Sequence, residues 1–181
     1  IIFTLFFSSF MYFAGNIQGK LPIYLDVFLI FGVVISILMY IQEKSETVKV
    51  SKRNVLIYLT LNVLTGYTLV LLIASVYVFG ATVNGFDVFN YWLGIILMLF
   101  VSWFALFLFY KNEFDSENPN KAVNVIAIII KLSAFGGLFY IRTVVPNTAD
   151  EEKFITLSIL INIAVDALLV RSYFNLSLIH I

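Results

Sequence analysis

The chain has 181 residues, 61% hydrophobic and 12% charged, with a formal net charge of zero, and its mean hydropathy is +1.00. Soluble domains are about 45–50% apolar and about 25% charged, so the composition points to lipid as the solvent and away from an ordinary water-soluble domain. Zero net charge argues against nucleic acid or any broad anionic partner, and the lack of cysteine removes disulfides, thiolate metal sites and thiol catalysis.

A helix needs about 20 apolar residues to cross the hydrocarbon core. Residues 1–15, IIFTLFFSSFMYFAG, begin without Met and without the basic region of a signal peptide, and read as a first span cut short. The second span is predicted over 22–41, with Pro22 in its first turn, where a missing N–H costs nothing. The third covers 54–79, long enough to tilt or to extend past the core. The fourth covers 88–110, the fifth 122–145 and the sixth 154–174. These runs are too long and too continuous for barrel strands, which alternate over about 10 residues.

The connections are short. Residues 16–21 and 81–87 are glycine-containing turns, while 42–53 and 111–121 are longer and charged. The acidic segment 147–153 is expected to cap the sixth helix through Thr148 or Asp150. No segment outside the spans could fold alone, and no internal repeat supports an inverted-repeat transporter. The prediction is therefore all-α: one domain, 1–181, a bundle of six membrane-spanning helices.

Basic residues orient it. Lys44, Lys49, Lys52, Arg53, Lys111, Lys121 and Arg171 fall on one side, and Lys20, Arg142 and Lys153 on the other. The richer side is expected in the cytoplasm, with both termini. Tyr91, Trp92 and Tyr110 suit interfacial anchors of the fourth span. The Ile, Phe, Lys and Asn bias suggests an AT-rich bacterial genome, and with the spans it makes a bacterial plasma membrane the expected location.

Two charges lie deep inside spans, away from their ends. Lys131 is near the middle of the fifth, about 15 Å from its cytoplasmic end. Asp166 is about 18 Å into the sixth from the other side. Consecutive antiparallel helices can bring them together. A charge at that depth costs at least about 2.5–3.5 kcal/mol, so it turns toward protein or water and takes a partner. At 100° per residue, Asn124, Lys131 and Arg142 fall on one line of the fifth helix. Ser158, Asn162 and Asp166 step by four along the sixth, and Tyr58, Asn62 and Gly66 along the third. These stripes predict an intramembrane polar seam. It is either a packing element built round a satisfied ion pair, or a hydrated path with the pair as gate or proton relay. Asp26 reads as an interfacial residue, or as the mouth of such a site.

Gly66, Ser133, Gly136 and Gly137 are the helix-packing candidates, Ser133 and Gly137 forming a small-xxx-small pair. The fourth span is apolar on every side and is expected to be the most lipid-exposed helix, or one that binds a partner.

Catalytic patterns are missing. His180 is the only histidine, and there is no HExxH, P-loop or GxGxxG. No cofactor is expected. The leading expectation is a non-enzymatic membrane protein acting through a membrane-protein partner or as a homo-oligomer. An accessory subunit of a secretion or envelope complex fits, as does an immunity protein against a membrane-acting toxin. The alternative is a small transporter or channel with its polar path around Lys131 and Asp166.

Overall fold

The computed structural model describes residues 23–44, 52–115, 118–146 and 152–180. Those residues form five helices, α1 Ile23–Lys44, α2 Lys52–Val83, α3 Phe89–Asp115, α4 Lys121–Val144 and α5 Glu152–His180, and no strand. Three of them, α2, α3 and α4, are long and apolar enough to cross a membrane. The span predicted over 1–15 and the caps predicted at Thr148 and Asp150 lie outside the described residues.

The helices run further than the apolar stretches that announce them, because no breaker stops them at the polar boundary. KNEFD continues α3 to Asp115, well into the predicted 111–121 loop. Asn120, just after Pro119, then opens α4 by accepting from the Ala122 N–H at 2.9 Å, as an N-cap does. At the other end, α2 carries on to Val83 and turns at Gly85. Its φ of 83° is the left-handed conformation that glycine adopts without strain. The Asp87 carboxylate then accepts from the Phe89 N–H at 3.1 Å, at the start of α3.

Helix α2 is the hub, packed against α1, α3 and α5. It buries a row from Val55 through Leu59, Val63 and Tyr67 to Tyr77, and six consecutive residues, Val70–Ser75, are buried. A helix apolar all round is made for such a central place. Close approach of α5 depends on Gly66, where a Cβ would collide with the Val165 side chain. Helix α4 lies mainly on α3 and touches α5 only lightly.

The expectation that 88–110 forms the most exposed helix is corrected. Of the three candidate spans, α4 is the least covered, with 17% of its apolar window buried against 33% for α3. The reason is position. Helix α3 stands between α2 and α4 and buries Trp92, Ile95 and Leu99, whereas α4 has one close neighbour.

Candidate functional site

Four helices each bring one polar side chain to a single point. Lys131 comes from α4, Asp166 from α5, Tyr67 from α2 and Ser102 from α3. Lys131 Nζ lies 2.6 Å from Asp166 Oδ2. It donates to the Tyr67 hydroxyl at 2.6 Å and to Ser102 Oγ. The Tyr67 hydroxyl donates to Asp166 Oδ1 at 2.8 Å and lies 2.7 Å from Ser102 Oγ. An ammonium has three donors, and three oxygens surround this one. The charge also stands 5.2 Å from the Tyr67 ring centroid and 5.1 Å from that of Phe135, within cation–π range. The network closes on itself. Each charge offsets the other's desolvation, and the hydroxyls take up the remaining hydrogen-bonding capacity.

The fold makes this possible although α4 and α5 barely touch. The long lysine side chain crosses the gap between them, and Tyr67 reaches both charges from the hub. Neither Tyr67 nor Ser102 stood out in the sequence. Tyr67 looked like one more aromatic, one position beyond the Tyr58–Asn62–Gly66 stripe. Ser102 is the one hydroxyl residue between Trp92 and Tyr110. That isolation in an apolar run was the available signal.

The other residues of the predicted seam make contacts at different depths. Asn124 donates to Glu113 Oε1 at 2.6 Å and accepts from Asn112 Nδ2 at 2.9 Å, clamping the α3–α4 junction. Arg142 Nε donates to Thr156 Oγ1 at 2.8 Å, at the far end of α4. Asn62 turns back to the Tyr58 carbonyl at 3.1 Å, and Ser158 to the Phe154 carbonyl at 2.7 Å. A shared helical line gives these side chains a common direction, yet each finds its partner at its own level.

Ser158, Asn162 and Asp166 are all buried along one face of α5. Asn162 is fully buried, yet neither of its amide atoms makes a hydrogen bond of good geometry. Asp26 sits half-buried in the first turn of α1. Of the predicted small-residue contacts, Gly66 meets Val165 and Gly137 meets Met98. Ser133 and Gly136 are exposed. The Ser133 hydroxyl bonds to the Ile130 carbonyl at 2.7 Å, and a Cβ at Gly136 would find open space. The packed face of α4 runs instead through Ala127, Ala134 and Leu138.

Beside the network an open cleft of about 490 Å³ lies between α3, α4 and α5. Phe109, Ile128 and Phe135 form much of its wall, with Lys131 and Asp166 at its edge. Among the described residues, no group of His, Cys, Asp or Glu side chains could hold a metal ion.

A family model described as Domain of unknown function (DUF5079) matches residues 1–181, and the chain belongs to that family. No curated protein and no solved structure matches it.

Proposed function

We propose that this chain is a multi-pass protein of the bacterial plasma membrane, both termini cytoplasmic, that works through a membrane-protein partner and performs no catalysis. The carrying observation is the contrast between a closed network and an open face. Lys131 spends its donors on Tyr67, Ser102 and Asp166, which suits a brace better than a site awaiting substrate. Outside it, α4 turns Ile129, Leu132, Phe139 and Tyr140 outward. In water such a face would be a liability. In a bilayer it is at ease with lipid or another helix, and the exposed Ser133 and Gly136 would let a backbone come close. An accessory subunit of an envelope or secretion complex, or an immunity protein against a membrane-acting toxin, fits this reading.

One observation favours the transport alternative. Asn162 is fully buried one turn from Asp166 and beside the Tyr67 hydroxyl, so it extends the polar cluster along α5 as a hydrated path would require. Site-specific photo-crosslinking separates the two readings. A photoreactive residue at Leu132 or Tyr140, activated in native membranes, is expected to give a discrete protein adduct. Its absence from every α4 position, together with solute flux in proteoliposomes, would put transport first.

A further inference from the structure

The cleft between α3, α4 and α5 has a shape and a charge pattern that together select an occupant. Its α4 wall runs from Ala127 to Phe135, about 12 Å of helix at 1.5 Å per residue. The space holds about 490 Å³ along about two helical turns, well short of the ~30 Å hydrocarbon core. It is a local recess: a second helix crossing the whole core would lie over it as a rigid rod, whereas a flexible hydrocarbon chain can enter and fill it. The walls offer apolar side chains, and the two charges at the edge are already engaged with each other, so nothing there asks for a polar ligand.

The charge lies at the mouth. Lys121, exposed at the first position of α4, is seven residues before Ile128. It stands about 10 Å along the axis from that residue and within about 20° of it in direction. It therefore sits over the cleft on the side where the membrane surface falls, as a cation placed to meet an anionic headgroup.

We propose that the cleft binds one acyl chain of an anionic phospholipid from the leaflet on the Lys121 side, with the headgroup phosphate at Lys121. The chain lies along Phe109 and Ile128 and ends near Phe135, covering the gap that the light α4–α5 contact leaves open.

The proposal rests on the membrane reading, and flotation separates the two. The full chain is reconstituted in phosphatidylcholine vesicles doped with phosphatidylglycerol that carries a diazirine on its acyl chain, and the vesicles are floated and irradiated. Protein that fails to float overturns the membrane reading and this proposal together. For floating protein, the expected tag concentrates on the peptides of Phe109, Ile128 and Ala167. Ala167→Trp, a substitution at an exposed position of the cleft wall, is expected to remove it. The phosphatidylglycerol probe should outlabel the matching phosphatidylcholine probe about fivefold, a preference that Lys121→Gln abolishes. A tag spread evenly over Leu97 and Phe100 on the outer face of α3, one indifferent to Ala167→Trp, or equal labelling by the two lipids would overturn the proposal and leave the membrane reading standing. Cross-links between copies of the chain at Ile128 would overturn it in favour of a second protomer.

Discussion

The Tyr67 hydroxyl donates to Asp166 Oδ1 at 2.8 Å and accepts from Lys131 Nζ at 2.6 Å, so one oxygen on the central helix joins both charges to the hub. Tyr67→Phe takes that oxygen away and keeps the ring. Asp166 loses a donor and Lys131 an acceptor, both largely shielded from solvent. The expected loss is about 1–3 kcal/mol, read as a lower denaturation midpoint in detergent. Tyr140→Phe, on the exposed face of α4, should stay within about 0.5 kcal/mol of the parent. Equal effects would show that the hydroxyl carries no weight in the network.

Three glycines should rank by what a methyl group meets. Gly66→Ala drives a Cβ into Val165, whose branched side chain has little freedom at χ1, and should cost about 1–3 kcal/mol. Gly137→Ala meets Met98, an unbranched side chain that can move aside, and should cost less. Gly136→Ala meets nothing within 4 Å and should be neutral or slightly stabilising, alanine being the better helix former. Melting temperatures of the three variants check the order. Gly136→Ala emerging as the worst would place that residue in an interface.

The helices from 22 onward were legible because unbroken apolar runs of that length have few other uses, and several run past the predicted ends because polarity changes before any breaker appears, as at KNEFD. Lys131 and Asp166 were legible because charges are rare in such runs. Tyr67 and Ser102 were not, because a tyrosine buries its ring anywhere and a lone serine is common. Only the convergence of four helices gives them a role. The expectation of exposure for the fourth span failed for a related reason. Composition says how apolar a helix is, but not whether lipid or protein covers it.

Asn162 separates packing from function. A buried amide without a well-made hydrogen bond costs about 1–3 kcal/mol, so on the packing reading Asn162→Leu, similar in volume, should leave the melting temperature unchanged or raise it. A pronounced drop would mean that the amide is bonded, through water or otherwise, and would strengthen the hydrated-path alternative.

Topology can be read with single cysteines, since the chain has none of its own. In intact cells, an impermeant thiol reagent should label cysteine at Asn84 or Thr148 and spare it at Glu46 or Ser116, following the basic-residue bias. The reverse pattern would invert the orientation. Labelling at both Asn84 and Glu46 would break the odd–even order of crossings.

The Lys131–Asp166 brace is tested most directly by a double-mutant cycle followed by unfolding in detergent. Lys131→Met strands a carboxylate and Asp166→Leu strands an ammonium, and each should cost about 3–5 kcal/mol. The double variant should recover much of that, because Tyr67 and Ser102 remain 2.7 Å apart as partners and two apolar side chains suit the same space. A double variant far more stable than the sum of the single losses is the predicted result. Simple addition of the losses, or single variants as stable as the parent, would contradict a structural ion pair at the centre of this fold.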